Sequence, residues 1–230
     1  MTKFSEFKNG CLQEIPLQLG VFPFGIAYGI LGIEVGLTNI QTFLLSIIIF
    51  AGVSQIVFAQ LFSTFTPSFM IVGTIGIVNL RHILYGVSLS SYLKKLSLKW
   101  RIILSYLITD EAFAISYKRF SEEKKTKYMH FHLLGSGITL WISWQISTLI
   151  GIFIGPSIPN SLNLEYVIPL SFIAIVVVSI NTKIKLIVFI MSALFSILLR
   201  DLPWNLWIIT SALISIIIGV LISNFRKGIK

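Results

Sequence analysis

Apolar stretches alternate with short polar connections along the whole chain. Eight such stretches run at about 11–35, 39–63, 68–93, 100–118, 131–155, 164–181, 185–200 and 204–224. A helix needs roughly 20 apolar residues to cross a hydrocarbon core of about 30 Å, and most of these stretches reach or approach that length. The pattern therefore predicts an all-α polytopic integral membrane protein with about eight apolar helical segments.

The first segment, 11–35, carries a proline between two glycines in the sequence LGVFPFG at 19–25. Proline removes one helical hydrogen bond and clashes with the preceding turn. Backbone opened at membrane depth is tolerated only where it is buried in protein or lines a wet cavity. We therefore expect a break at Pro23, with Pro23, Phe24 and Gly25 as candidate binding residues, or alternatively a plain kink with packing glycines. Glycines at 25, 29, 32 and 36 form a small-residue face for close helix contact.

The third segment places a fixed cation among apolar residues. Its centre reads NLRHILYG at 79–86, so Arg81 lies near the middle of the segment 68–93. An arginine at that depth costs a few kcal/mol even on lenient insertion scales, so it should face protein or water and have a partner. Three acids lie in segments that can supply this partner, and the sequence does not choose among them: Asp110, Glu111 and Glu34.

Two adjacent acids, Asp110 and Glu111, lie in the middle of the fourth segment. Neighbouring side chains on a helix point about 100° apart, so one acid can pair with Arg81 while the other takes up a proton, because burial raises a carboxyl pKa. His82 titrates near neutral pH when unperturbed. The candidates for proton coupling are therefore His82, Asp110 and Glu111. The alternatives are a structural ion pair between segments three and four, and a histidine that only bonds two helices.

Neutral polar residues complete the candidate site. Ser54 and Gln55 lie in the middle of the second segment, and Asn79 and Tyr85 flank Arg81 in the third. Such groups either contact a substrate or form hydrogen bonds between helices, for about 0.6 to 2 kcal/mol each.

Composition narrows the class of function. The chain has 230 residues, of which 55% are hydrophobic and 12% charged, with a net charge of +9. The positive charges lie in short loops beside apolar segments, as on the cytoplasmic flank of a membrane protein, so they do not indicate nucleic acid. One cysteine, Cys11, excludes an intramolecular disulfide and a cysteine-cluster metal site. The sequence has no HExxH, GxSxG or GxxxxGK[ST], so we expect no enzyme, no metal, no cofactor and no ATP site.

The basic loops constrain topology. Lysine and arginine cluster at 94–101, 118–127, 183–185 and 226–230. The positive-inside rule places all four clusters in the cytoplasm only if segment 100–118 enters and returns from that side. If segment 11–35 does the same, both termini are cytoplasmic. We predict six full spans plus two broken or re-entrant segments, 11–35 and 100–118, with eight complete crossings as the alternative.

Four motifs in this order and spacing resemble the AzlC-type family, the large subunits of bacterial branched-chain amino acid exporters. They are PFGIAYG at 23–29, FAGVSQ at 50–55, NLRHILYG at 79–86 and TDEAF at 109–113, and the resemblance covers roughly 10–200. It implies a single transmembrane permease domain over 1–230, in the bacterial cytoplasmic membrane, that exports leucine, isoleucine, valine and similar amino acids. It also implies a second, small hydrophobic membrane subunit of the AzlD type.

The resemblance and the residues suggest one expected site for a zwitterion with an aliphatic tail. Its carboxylate suits Arg81 or helix-start amides near 23–25, and its ammonium suits Asp110 or Glu111. The aliphatic tail suits Phe24, Phe50 and Phe113. The expected substrate-binding residues are Pro23, Phe24, Gly25, Ser54, Gln55, Asn79, Arg81 and Tyr85. The competing classes are an intramembrane enzyme built on Ser54 and His82, and a passive channel or scaffold.

Overall fold

A computed structural model describes residues 2–121, 126–157, 180 and 182–228, and every regular element in them is helical. The long helices are α1 Lys3–Glu14, α2 Gln18–Glu34, α3 Asn39–Ile49, α4 Gly52–Ser63, α5 Ser68–Val78, α6 Leu80–Leu93, α7 Leu98–Tyr106, α8 Asp110–Ser121, α9 His130–Ile154, α10 Lys183–Leu198 and α11 Leu206–Gly228. Short 3₁₀ turns occupy Ile15–Leu17, Gly155–Ser157 and Pro203–Asn205. The predicted segment 164–181 lies outside the described residues apart from residue 180.

Four helical stretches of the described chain are long and apolar enough to cross a membrane. They are Lys3–Glu34, Ser68–Leu93, His130–Ser157 and Leu206–Asn224. Shorter apolar helices, α3 and α4, lie between the first two. The protein is thus an all-helical, polytopic membrane protein, as the sequence predicts.

The chain divides into two compact units, Met1–Ser63 with Val78–Pro159, and Thr64–Ile77 with Asn160–Lys230. In the second unit, α10 and α11 pack together, and the Ser196 hydroxyl donates to Ser211 at 3.1 Å. The ring of Phe69 meets Trp204 edge-on at 6.0 Å. The first unit contains all the predicted site residues. The single permease domain expected for 1–230 stays a prediction.

In the first unit, α1 and α2 run parallel to α9 along its whole length. Gly10 lies against the backbone of His132, near the start of α9, and Gly29 lies against Gly151, near its end. A Cβ added to Gly29 would come within 2.9 Å of the Gly151 Cα, so these helices touch backbone to backbone. The small-residue face predicted from the sequence therefore forms. Gly36 is the exception, because it is an exposed turn residue with φ of 88°.

The interruptions in the helices do not all lie where the sequence places them. Helix α2 runs through Pro23, so the break predicted there is wrong; segment 11–35 is interrupted at the 3₁₀ turn Ile15–Leu17 instead. The second segment is broken between α3 and α4 at Phe50, which adopts a left-handed conformation with φ of 40°. The sequence analysis did not predict that break.

Segment 100–118 forms a helical hairpin, α7–α8, that reverses at Leu107–Thr109. Helix α7 starts beside the start of α9, where the Trp100 and His130 ring centroids lie 5.1 Å apart. It ends at Tyr106, whose hydroxyl accepts a 2.8 Å hydrogen bond from Trp141 of α9. Helix α8 then returns, and its Arg119 pairs with Glu6 in α1.

The hairpin therefore begins and ends on one side and spans about half the height of α9. From His130 to Trp141 the axis of α9 rises about 16 Å at roughly 1.5 Å per residue. That is about half of a 30 Å hydrocarbon core. The predicted break in this segment is confirmed, and the return of α8 to the starting side is the geometry of a re-entrant segment.

Candidate functional site

Three interruptions of helical structure lie close together at about half the height of α9. They are Phe50–Ala51, Asn79 and Leu107–Thr109. The Ser54 hydroxyl, one turn into α4, donates to Asn79 Oδ1 at 2.7 Å. The rings of Phe50 and Tyr106 lie 5.7 Å apart, and the Tyr106 hydroxyl donates to the carbonyl of Ile47. Broken helices that meet at mid-depth are the usual setting of a transport site.

Of the three candidate acids, Asp110 pairs with Arg81. Arg81 Nη1 lies 2.6 Å from Asp110 Oδ2, and the two side chains are 31% and 39% exposed. The Tyr85 hydroxyl donates to the other carboxylate oxygen of Asp110 at 2.5 Å. Asp110 is also the first residue of α8, where the helix dipole favours a negative charge. Arg81 Nε is buried and makes no hydrogen bond to any described residue, so one edge of the guanidinium has unused donor capacity.

The two other residues considered for proton coupling lie beside this pair. Glu111 is half-buried and follows Asp110 on α8. The His82 ring centroid lies 5.9 Å from that of Tyr85. The Ser54 hydroxyl, which the enzyme alternative would pair with His82, donates to Asn79. The proton-coupling roles stay predictions.

One aromatic cluster lies beside the ion pair, and a second lies against α9. Tyr85 stacks on Phe113 with ring centroids 4.4 Å apart. On the α9 side, the Trp144 indole donates to Gln55 Oε1 at 3.1 Å, and Gln55 is fully buried. The ring of Phe24 lies 6.0 Å from that of Trp144. Tyr85 and Phe113 therefore provide aromatic surface beside the charges, and contact with an aliphatic substrate tail stays a prediction.

The residues 23–25 do not supply helix-start amides. They lie inside α2, which begins at Gln18, so the expectation of an opened helix start there is wrong. Gly25 instead packs directly against the hydroxyl group of Ser147 in α9. The substrate-binding role predicted for Pro23, Phe24 and Gly25 stays a prediction.

The sequence analysis missed two buried acids in α1. Glu6 is fully buried and accepts hydrogen bonds from Arg119 at 2.6 and 3.1 Å and from Thr126 at 2.9 Å. Glu14 is also fully buried. The sequence placed Arg119 in a basic loop, whereas it is only 4% exposed. The signal was the spacing of Glu6, Gly10 and Glu14, which repeats every four residues and so lies on one face of a helix.

Among the described residues, no group of three or more histidine, cysteine, aspartate or glutamate side chains is placed to hold a metal ion. The chemistry available at mid-depth is therefore that of an ion pair, two further titratable groups and aromatic surface. An ion pair beside aromatic surface has the groups needed to bind a small charged solute.

Comparison with known proteins identifies the family. The model of the family described as AzlC protein matches residues 16–158. The inner membrane protein YgaZ of Escherichia coli K12 is 25% identical over 190 residues, covering 79% of this chain and 76% of that protein. An uncharacterized membrane protein of Archaeoglobus fulgidus is 28% identical over 164 residues, covering 69% of this chain and 67% of its own length.

A third relative has a more informative name. The branched-chain amino acid transport protein AzlC of Bacillus subtilis is 32% identical over 115 residues, covering 50% of this chain and 44% of that protein. No solved structure matches the chain significantly. The family match spans more than half of the sequence and contains the Arg81–Asp110 pair. The chain therefore belongs to the AzlC family of membrane proteins.

Proposed function

We propose that this protein is the large subunit of a secondary transporter that exports branched-chain amino acids across the bacterial cytoplasmic membrane. The observation that carries the proposal is the Arg81–Asp110 pair, held by Tyr85 where broken helices meet at mid-depth. The name of the Bacillus subtilis relative supports the substrate class.

The ion pair can receive a zwitterion by exchange of partners. A substrate carboxylate binds the guanidinium edge that includes Arg81 Nε, which has no protein acceptor among the described residues. Arginine presents five donors in a fixed fork, so this edge can bind a carboxylate while Nη1 stays near Asp110. The substrate ammonium then binds Asp110, and the aliphatic tail lies against Tyr85 and Phe113, which stack on each other.

Energy for export comes from an ion gradient, because the sequence contains no nucleotide-binding GxxxxGK[ST] motif. Protons are the coupling ion in this proposal, with Asp110, Glu111 and His82 as carriers. Protonation of Asp110 would weaken its attraction for both Arg81 and a substrate ammonium. Binding of a proton and of substrate are thereby linked at one carboxylate.

The side of the protein that holds the hairpin ends is the cytoplasmic side in this proposal. Lys3, Lys99 and Lys127 all belong to elements that start or end there, and positive charges favour the cytoplasm. The N-terminus is then cytoplasmic, and the C-terminus is expected on the same side. A small hydrophobic AzlD-like subunit completes the transporter, as the family resemblance implies.

An efflux assay tests the proposal directly. Cells without branched-chain exporters are fed a leucine-containing dipeptide, and intracellular leucine is followed with and without this chain and its small partner. We expect lower intracellular leucine with both chains, and loss of this effect in Arg81→Gln and Asp110→Asn. The matched controls are Arg200→Gln and Asp201→Asn, whose parent side chains form an exposed pair, 75% and 92% accessible. Equal efflux by the site variants and the controls would refute the site.

A purely structural ion pair is separated from a transport site by exchanging the two charges. The double variant Arg81→Asp with Asp110→Arg keeps an ion pair between α6 and α8. If the pair only joins helices, the double variant recovers both protein level and efflux. We expect it to recover protein level alone, because the charges that recognise the substrate's two ends now occupy each other's positions.

A further inference from the structure

A second titratable site lies in the first helix, away from the Arg81–Asp110 pair. Glu14 is the last residue of α1 and is followed by the 3₁₀ turn Ile15–Leu17. Its side chain is fully buried within a stretch long and apolar enough to cross the membrane. An ionisable residue in such a stretch is expensive to bury and is by default a candidate for function.

Glu14 differs from the other fully buried acid in its hydrogen-bond partners. Glu6 is paired with the cation Arg119, whereas the Glu14 carboxylate accepts from neutral groups, the Ser136 hydroxyl at 2.6 Å and the Gln18 amide at 3.1 Å. Hydrogen bonds from neutral donors are weaker than those from a cation, so these two bonds do not fix Glu14 in the ionised form.

Helices α8 and α9 pack against α1 and bring further polar and titratable side chains to it. Helix α9 contributes Ser136 and His132. The Nε2 atom of His132 lies 3.3 Å from Gln13 Oε1. Helix α8 contributes Arg119, which pairs with Glu6 of α1, and carries Glu111 in its first turn.

The two hydrogen-bond partners suit both protonation states. With Glu14 ionised, the Ser136 hydroxyl and the Gln18 amide each donate to one carboxylate oxygen. A serine hydroxyl can also accept, so after protonation the Glu14 O–H can donate to Ser136 while the Gln18 amide keeps its bond. Neither heavy atom has to move when the proton binds or leaves.

We propose that Glu14 is a proton-binding site of the transport cycle, distinct from the Arg81–Asp110 pair. Glu14 ends α1 and is bonded to Ser136 of α9, whereas Asp110 begins α8. This inference rests on the proposed function for the substrate, but the binding of a proton by Glu14 can be measured without any substrate.

The first experiment measures proton binding alone. Purified protein in lipid is titrated with acid while infrared difference spectra record the carbonyl band of protonated carboxyl groups. We expect one such band in the unmodified protein to be lost in Glu14→Gln and retained in Asp201→Asn. The amide is nearly isosteric with the protonated acid, and thermal unfolding confirms that the variant is folded. Identical spectra for Glu14→Gln and the unmodified protein would overturn the proposal.

The second experiment measures coupling in proteoliposomes that contain this chain together with its small partner subunit. Exchange of labelled leucine for unlabelled leucine needs no net proton movement, whereas leucine accumulation driven by a pH gradient does. We expect Glu14→Gln to keep leucine exchange. It should lose both the leucine accumulation that a pH gradient drives and the pH change that leucine transport causes inside the vesicles. A Glu14→Gln variant that still accumulates leucine under a pH gradient would overturn the proposal. Leucine accumulation by the unmodified protein under a sodium gradient but not under a pH gradient would also overturn it. Absence of leucine exchange in the unmodified protein would instead contradict the proposed substrate, leaving the infrared result to decide proton binding.

Discussion

The buried ion pair between Glu6 and Arg119 should dominate the attachment of the hairpin α7–α8 to α1. Glu6 is 0% and Arg119 4% exposed, and two hydrogen bonds of 2.6 and 3.1 Å join them. Removing one partner leaves the other charge buried and uncompensated, which typically costs about 3–5 kcal/mol. We therefore expect Arg119→Met and Glu6→Met each to lower the free energy of unfolding by an amount in that range.

The double variant Glu6→Met with Arg119→Met should lose much less free energy of unfolding than the sum of the two single losses. With both charges replaced by methionine, no ion remains buried, and such replacements are often neutral or even stabilising. Thr126 loses an acceptor at 2.9 Å, which costs about 1 kcal/mol. The measured quantity is the coupling free energy from the double-mutant cycle.

The assay is equilibrium unfolding in mixed micelles, with Arg200→Met as the matched control. Arg200 lies 3.5 Å from Asp201 in an exposed pair, so its replacement should cost less than about 1 kcal/mol. Single variants at Glu6 and Arg119 that cost no more than this control would refute the reasoning. A double variant whose cost equals the sum of the single costs would show that the two charges do not depend on each other.

Two further predictions concern packing and topology. Gly29→Leu should destabilise the protein by at least about 1–3 kcal/mol, because its Cβ would collide with the Thr148 carbonyl. Gly73→Leu should not, because a Cβ at Gly73 would have no neighbour within 4 Å. Thermal unfolding compares the two variants. Single cysteines at Leu96 and Lys127, in a cysteine-free background, should react with an impermeant thiol reagent from the same side of the membrane. Labelling from opposite sides would contradict the re-entrant hairpin.

The sequence alone predicted the features that follow from the free-energy cost of placing polar groups in lipid. Long apolar runs predict membrane helices because a helix satisfies its backbone hydrogen bonds within one segment in lipid. Arg81 needed an acid for the same reason, and Asp110 meets that need at 2.6 Å. The sequence could not show that Arg81 pairs with Asp110 and not with Glu111 or Glu34. That pairing depends on which helix faces meet, which is a property of tertiary packing and not of the local sequence.

The positions of the helix breaks were harder to predict because their causes are partly non-local. Pro23 removes only one hydrogen bond, and helix α2 continues through it because Gly25 and Gly29, which follow the proline, pack tightly on α9. Pro16, in contrast, coincides with the 3₁₀ turn at Ile15–Leu17. Phe50 leaves the helix where Gly52 meets the ring of Trp144, more than 90 residues later in the chain.

The hairpin α7–α8 explains why basic residues on both of its flanks are compatible with one membrane orientation. Its start contacts the start of α9 through Trp100, and its end contacts the start of α1 through Arg119. A segment that crossed fully would have to place one of its two lysine-rich flanks outside, against the positive-inside rule. Reversal at mid-depth removes that conflict, and it also brings Asp110, the first residue of the returning helix, to the depth of Arg81. The same turn that satisfies the charge distribution therefore builds the ion pair on which the proposed transport depends.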